Sequence, residues 1–184
     1  MATPIGDGIE KMLAAASTRP IPATLRGRVR FLLRTEGTVT AVAARIGVSP
    51  TQVRRYLTGE TRSSGKAAAI EREVRRSWQP RIRQRTIQQA VRDGIVVDTK
   101  AQFGFTAGPG TTDDPRVRLI TEPMSSGYTQ RLLGAYQAGE GEDELGRIVA
   151  DSIRYSYFQD SGRRAQDLTE VTFGGIDYVD FELY

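Results

Sequence analysis

Residues 39–59 read VTAVAARIGVSPTQVRRYLTG, and this stretch decides the fold of the first half of the chain. Val42 and Ile46 lie one turn apart, on the buried side of a first helix. Gly47 supplies the positive φ that a tight turn between two helices needs, and Ser49 can cap a second helix whose first residue is a proline. The spacing predicts a helix-turn-helix.

The second helix of this motif turns polar and basic side chains outward. They are Thr51, Gln52, Arg54 and Arg55. An amide side chain can bind adenine, and a guanidinium can bind guanine or a phosphate. The alternative is a pair of helices that merely pack together. The basic surroundings make DNA binding the better hypothesis.

Helical periodicity extends on both sides of the helix-turn-helix. The expected helices cover residues 6–17, 23–35 and 66–93, and the last of them is long and basic. Pro80 must kink that helix or divide it in two. Arg75 and Arg76, close to the kink, would extend the contacts to DNA phosphates, although a solvated charged face accounts for each of them equally well.

The periodicity changes to that of strands after Gly94. Strands are expected around residues 95–97, 103–105, 117–121 and 171–184, and helices at 127–138 and 142–158. At least one of Phe103 and Phe105 should lie in the core. The predicted fold class is therefore α+β, in which an all-helical N-terminal part (residues 1–93) with the helix-turn-helix precedes a small mixed α+β C-terminal domain (residues 94–184).

The net charge changes from positive to negative close to the predicted boundary between the two parts of the chain. Residues 1–100 carry 19 Lys and Arg against 8 Asp and Glu, whereas residues 101–184 carry 7 against 14. The formal net charge of +4 thus hides a basic half and an acidic half, a division typical of a polyanion-binding module joined to another domain. Residues 140–144 hold four of the carboxylates at the start of an expected helix, where they favour the positive end of the helix dipole.

The residue counts exclude several kinds of chemistry. The sequence contains no His and no Cys, so an imidazole base, a thiol nucleophile, a disulfide and a Cys/His zinc site are all impossible. No apolar run approaches the roughly 20 residues that cross a bilayer, and the N-terminus lacks the layout of a signal peptide. We therefore expect a cytoplasmic protein without a membrane partner.

Five further stretches carry a family resemblance. They are IGDGIEKM at 5–12, TRPIP at 18–22, EREVRRSWQPRIR at 71–83, GIVVDTKAQFGFTAGPGTTDD at 94–114 and VTFGGIDYVDFEL at 171–183. Together with the helix-turn-helix, they make nearly the whole sequence similar to the terminal proteins that cap the telomeres of linear Streptomyces-type chromosomes and plasmids. The run from FGFTA to TTDD is the most specific, because many regulators share helix-turn-helix sequences.

The resemblance implies a protein primer for DNA replication at the ends of a linear replicon. In this family a threonine hydroxyl accepts the first deoxynucleotide and stays linked to the 5′ end of the DNA. A telomere-associated protein brings the primer to the folded 3′ overhang, and a separate DNA polymerase extends it. The acceptor matches Thr112, or Thr111 if the match shifts by one residue. The protein would then reside in the nucleoid and have no enzymatic activity of its own.

The residues around Thr112 are chemically compatible with this role. Gly108–Gly110 would make a backbone-permissive loop from which a hydroxyl can reach another enzyme's active site. The chain has no histidine to deprotonate that hydroxyl, but the Mg²⁺ ions of the polymerase could do so, and no cofactor of the protein's own is expected. Asp113 and Asp114 would bind one of those ions or orient the hydroxyl. The alternative is an ordinary turn before the next strand.

Under a second hypothesis, the protein binds DNA but does not prime replication. It is a helix-turn-helix transcriptional regulator whose C-terminal domain dimerises or senses a ligand. The helix-turn-helix and the charge division fit both hypotheses, and only the TTDD loop and the whole-chain resemblance separate them. A self-contained nucleotidyltransferase is disfavoured, because the sequence has no Gly-rich phosphate loop beside a lysine.

Overall fold

The structure, a computed structural model, describes residues 5–61, 64–106 and 115–184, except the side chains of residues 105 and 106. Within these ranges it confirms the α+β fold class. The helices are α1 (Ile5–Ala15), α2 (Leu25–Glu36), α3 (Val39–Ile46), α4 (Pro50–Thr58), α5 (Ala67–Ser77), α6 (Pro80–Asp93), α7 (Ser126–Ala138) and α8 (Glu142–Ile153). The strands are β1 (Ile95–Thr106), β2 (Arg116–Met124) and β3 (Glu170–Leu183), and a π-helical turn (Arg154–Phe158) follows α8.

Two compact units divide the chain. The helical unit spans Ser17–Arg83, and the sheet unit combines the N-terminal segment that ends at Ala16 with Gln84–Tyr184. The sequence led us to expect α1 beside the other N-terminal helices, but α1 belongs to the sheet unit. The reason is packing, since a helix of 11 residues needs a surface for its apolar face. That face joins the core of the sheet unit through Ile5, Ile9, Met12 and Leu13.

The expected long basic helix over 66–93 is two helices, α5 and α6. Proline has no N–H for the helical ladder, and its ring clashes with the preceding turn, whereas the first position of a helix suits it. The structure accordingly ends α5 at Ser77 and begins α6 at Pro80. Gln79, between them, takes a left-handed φ of +47°. Pro80 therefore divides the helix instead of kinking it.

Helices α2 to α5 enclose a core within the helical unit. Its buried side chains are Leu25, Val29, Leu32, Val42, Ala43, Ile46, Val53, Tyr56, Ile70 and Val74. Trp78 closes one side of this core, because its ring packs edge-on against Phe31 with centroids 4.9 Å apart. The indole nitrogen of Trp78 also donates a hydrogen bond of 2.9 Å to the carbonyl of Arg19.

The sheet has the order β2-β1-β3 in the described ranges, and both pairings are antiparallel. Alternate residues of β1 face the core, as the strand period requires. They are Ile95, Val97, Thr99, Ala101 and Phe103. Phe103 is fully buried, which confirms the expectation that at least one of the two phenylalanines belongs to the core.

Helix α1 is held against the sheet unit by two close contacts. A methyl group added to Gly8 would lie 2.5 Å from the carbonyl oxygen of Val179, so the helix approaches β3 as closely as its backbone allows. At the start of α1, the carboxylate of Glu142 accepts hydrogen bonds from the backbone N–H of Ile5 (2.6 Å) and Gly6 (3.0 Å). Glu142 thus lies in the first turn of α8, as expected, and also caps a second helix.

Candidate nucleic-acid interface

The turn between α3 and α4 has the elements that the sequence predicts. Gly47 ends α3 in the left-handed conformation, with a φ of +65°. Ser49 caps α4, since its hydroxyl accepts a hydrogen bond of 3.2 Å from the backbone N–H of Gln52. A second cap, which the sequence analysis did not identify, comes from Thr38 at the start of α3. Its signal was a threonine directly after a glycine that ends a helix.

Helix α4 separates its residues into a buried and an exposed face. Val53 and Tyr56 are buried, and the Tyr56 hydroxyl lies 2.7 Å from the hydroxyl of Ser64. The four predicted DNA-contacting side chains of α4 share the other side. Of these, Thr51, Arg54 and Arg55 are exposed, and Gln52 is half-buried. Neither arginine forms an ion pair with any residue that the structure describes.

Few carboxylates are available to neutralise the helical unit. Its sequence holds 15 Lys and Arg against 4 Glu and no Asp. Glu71 binds Arg28 at 2.9 Å and Arg75 at 2.5 Å. The hydrogen bond from Arg75 lowers the pKa of Glu71 and, with the charge of Arg28, outweighs the opposing effect of burial. Glu71 is therefore an anion committed to two cations of its own unit.

Arg45 has a structural role in the same unit. It forms ion pairs with Glu36 and, at 2.8 Å, with Glu73, and it donates a hydrogen bond of 2.6 Å to Ser77. Burial by itself would lower the pKa of Arg45, but the hydrogen bonds to Glu73 and Glu36 outweigh it and raise the pKa above its ordinary value. Arg45 joins α2, α3 and α5, and its guanidinium is directed at protein groups.

Arg75 and Arg76, predicted to contact phosphates, have partners on their own helix. Arg75 pairs with Glu71 four residues earlier, and Arg76 pairs with Glu73 at 3.4 Å. Helix α5 packs on α2 and α3. The guanidinium of Arg75 is thus already hydrogen-bonded, whereas the Arg76 side chain is 57% exposed and weakly held.

Helix α2 presents three arginines that the sequence analysis did not single out. They are Arg26, Arg30 and Arg34, and all three are exposed. The sequence already indicates them, because residues spaced four apart lie on the same face of a helix.

The predicted nucleotide acceptors fall outside the described residues. This applies to Thr111, Thr112, Asp113 and Asp114. Along the chain they follow β1, which ends at Thr106, and precede β2, which begins at Arg116. The two strands pair from Phe103 opposite Arg116 to Ile95 opposite Met124.

Two other features are absent from the described ranges. Over residues 5–61, 64–106 and 115–184, no group of three or more acidic side chains is arranged to hold a metal ion. No helix in these ranges is long and apolar enough to cross a membrane. Comparisons with protein-family models, with curated proteins and with solved structures found no match for this chain. Support for a function therefore comes from the geometry of α3 and α4 and from the residues of the sequence.

Proposed function

We propose that this protein is a DNA-binding terminal protein that primes replication at the telomere of a linear replicon. The observation that supports DNA binding is the capped α3–α4 turn, whose second helix carries Arg54 and Arg55, both exposed and without an ion pair to any described residue. The assignment to telomere priming rests on the sequence resemblance around the TTDD segment, residues 111–114.

In this proposal, α4 enters the major groove of the DNA. The amide of Gln52 is suited to adenine, which offers one donor and one acceptor at its edge. The guanidinium groups of Arg54 and Arg55 bind guanine or the flanking phosphates. The helical unit supplies the surrounding positive charge, so affinity should fall steeply with added salt.

The priming step forms one phosphodiester bond on the protein. The hydroxyl oxygen of Thr112 attacks the α-phosphorus of an incoming deoxynucleoside triphosphate, and pyrophosphate leaves. The hydroxyl proton passes to a base in the active site of the polymerase, whose Mg²⁺ ions stabilise the attacking and leaving oxygens. Asp113 and Asp114 orient the hydroxyl or bind one of these ions. The telomere-associated protein positions this complex at the 3′ overhang.

Covalent labelling tests the primer directly. The protein is incubated with the polymerase, the telomere-associated protein, a telomeric template and a labelled deoxynucleotide, and the label should remain after boiling in SDS. Thr112→Ala should abolish the label without weakening DNA binding, whereas Thr112→Ser, which retains a hydroxyl, should keep it. Thr111→Ala is the neighbouring control. Loss of label in Thr111→Ala alone would assign the acceptor to Thr111.

The same experiment separates the primer from a transcriptional regulator. A regulator would bind DNA through α4 but would take up no label with any polymerase. A wild-type protein that binds telomeric DNA tightly and stays unlabelled would therefore contradict the primer and leave only the DNA-binding part of the proposal.

A further inference from the structure

The outward face of α2 is a row of positive charge. Arg26, Arg30 and Arg34 follow one another at intervals of four residues, about 6 Å along the helix axis for each step. Over the whole row the side chains rotate by only roughly 80° around the axis, so they share one face. All three are exposed. Like charges at this spacing repel each other in an isolated helix.

This row has no counter-charge in the described part of the chain. None of the three arginines forms an ion pair there. The carboxylates of the helical unit are bound elsewhere: Glu36, Glu71 and Glu73 pair with Arg28, Arg45, Arg75 and Arg76, and Glu60 accepts a hydrogen bond from Thr58. Arg28 and Arg45 are therefore neutralised within the unit, whereas Arg26, Arg30 and Arg34 are exposed and form no ion pair with the described residues.

Arg28 lies on the same helix but, unlike the three arginines of the row, it is ion-paired. Its guanidinium donates a hydrogen bond of 2.9 Å to the carbonyl of Pro22 and pairs with Glu71 at 2.9 Å. Arg28 thus serves the packing of α2 on α5. Arg26, Arg30 and Arg34 have no such partner among the described residues, so the described packing of the helical unit does not account for their charge.

The arginine row begins beside the end of α4. A methyl group built on Gly59, the residue that caps α4, would lie 3.9 Å from Cδ of Arg26. Helix α2 also packs directly on α3 and α4. The basic face of α2 thus borders the helix that carries Arg54 and Arg55.

We propose that Arg26, Arg30 and Arg34 form a second DNA-binding surface, which binds phosphates of the backbone and no base edges. This inference rests on the proposed DNA binding by α4. Guanidinium groups bind phosphate oxygens in a bidentate manner, and an exposed row of them requires no rearrangement of the core. Such contacts raise affinity for every sequence and release counterions from the DNA.

Binding to duplex DNA of random sequence over a series of salt concentrations tests this surface. Each phosphate contact contributes about 0.9 to the slope of log affinity against log salt. Replacing all three arginines with glutamine (Arg26→Gln, Arg30→Gln, Arg34→Gln) should therefore reduce the slope by roughly 2.7. The variant should lose the same factor of affinity on every DNA sequence. Its ratio of specific to non-specific binding should match the wild type.

Two control variants separate contact from overall charge. The variant Arg131→Gln, Arg147→Gln, Arg163→Gln removes the same charge from exposed side chains of the sheet unit, and it should keep the wild-type slope. The variant Arg26→Lys, Arg30→Lys, Arg34→Lys retains the charges and should also keep the slope, which assigns the loss in the glutamine variant to the missing charge. Circular dichroism of the glutamine variant should match the wild type, which excludes a folding defect.

The outcomes distinguish this surface from the proposed function. If the wild type binds no DNA, both fail. If the wild type binds DNA and Arg54→Ala with Arg55→Ala weakens it, but the glutamine variant of α2 behaves like the sheet-unit control, only the second surface is refuted. A change in the self-association of that glutamine variant, with an unaltered salt slope, would instead assign the arginine row to an acidic protein surface and overturn the inference.

Discussion

The helical unit and the sheet unit differ in how far apart along the chain their stabilising partners lie. In the helical unit, the side chains of Thr24, Thr38 and Ser49 cap α2, α3 and α4, each binding an N–H three residues later. Glu71 pairs with Arg75 four residues later. In the sheet unit, Glu142 caps a helix 137 residues away, and Lys11 pairs with Asp180 at a separation of 169 residues. Local patterns therefore fix where these helices of the first unit begin, although the unit also has longer contacts, such as the hydrogen bond from Trp78 to Arg19 over 59 residues. The second unit depends on pairing between more distant segments.

The units also differ in charge. The helical unit carries 15 Lys and Arg against 4 carboxylates, and the sheet unit carries 11 against 18. Several acidic groups of the sheet unit form pairs on the surface, such as Asp177 with Lys100 at 2.6 Å and Asp151 with Arg131 at 3.5 Å. Exposed pairs of this kind contribute little to stability. The proposed DNA binding therefore rests on exposed arginines of the helical unit, such as Arg54 and Arg55, that form no ion pair with the described residues.

The largest effect is expected in the core of the sheet unit. Phe103 is fully buried, and its ring centroid lies 5.3 Å from that of Phe173 and 6.0 Å from that of Phe158. Phe103→Ala should lower the free energy of unfolding by about 3–5 kcal/mol, because it leaves a cavity. Hydrogen exchange of the β1 amides measures this. Val117→Ala, at a side chain of the same sheet that is 63% exposed, is the control and should change little.

A substitution in α1 with a smaller expected effect tests the contact between α1 and β3. Gly8→Ala places a methyl group 2.5 Å from the carbonyl oxygen of Val179, and we expect a loss of about 1–3 kcal/mol from overpacking. Gly134, within α7, has no described atom of another residue near enough to obstruct the same methyl group. Gly134→Ala should therefore stabilise the protein by about 0.5–1 kcal/mol. Urea unfolding, followed by circular dichroism, measures the change in the free energy of unfolding for both variants. A change of the same sign in both would contradict the close packing of α1 on β3.

The next effect is local and concerns the start of α4. Ser49→Ala removes a side-chain cap and should cost about 1 kcal/mol. Ser125 also precedes a helix, but its side chain makes no capping hydrogen bond with the described residues, so Ser125→Ala should cost much less. The only tryptophan of the sequence, Trp78, lies in the helical unit, and its fluorescence during urea unfolding reports on Ser49→Ala. An undiminished midpoint would refute the cap.

The smallest expected effect is the dependence of stability on pH. Raising the pH should favour the fold through a carboxylate of the helical unit and disfavour it through a carboxylate of the sheet unit. The pKa of Glu71 is lowered by its hydrogen bond with Arg75, so its contribution to stability is complete above the ordinary glutamate pKa and is lost as pH falls through the lowered value. Burial, and then the charge of Asp160, raises the pKa of Glu122, so ionisation of Glu122 destabilises the fold as pH rises above the ordinary range.

Glutamine variants measure these two contributions. Glu71→Gln should destabilise the protein near neutral pH and much less in acid, while Glu122→Gln should stabilise it near neutral pH relative to acid. The measurement is the midpoint of urea unfolding at several pH values. The same direction of change for both variants would contradict the opposite environments of the two carboxylates.

Most of the helical unit could be predicted from the sequence. The cap at Ser49, the glycine at position 47 and the apolar spacing around them act within a few residues, and the structure has the corresponding helices. The division at Pro80 was one of two outcomes that the sequence allowed. The acceptor residues around Thr112 stay a prediction that only the sequence resemblance supports.

The tertiary structure decided what local patterns do not contain. Nothing near α1 along the chain indicates that it packs on β3 or that Glu142 caps it, because those partners are brought together only by the folded sheet. It also determines which arginines form ion pairs among the described residues. The sequence alone establishes an excess of positive charge in the first half. The ion pairs of Glu71 and Glu73 bind Arg28 and Arg45 within the fold, and the outward faces of α2 and α4 have no counter-charge among the described residues. Composition sets the amount of charge, and packing sets where it is exposed.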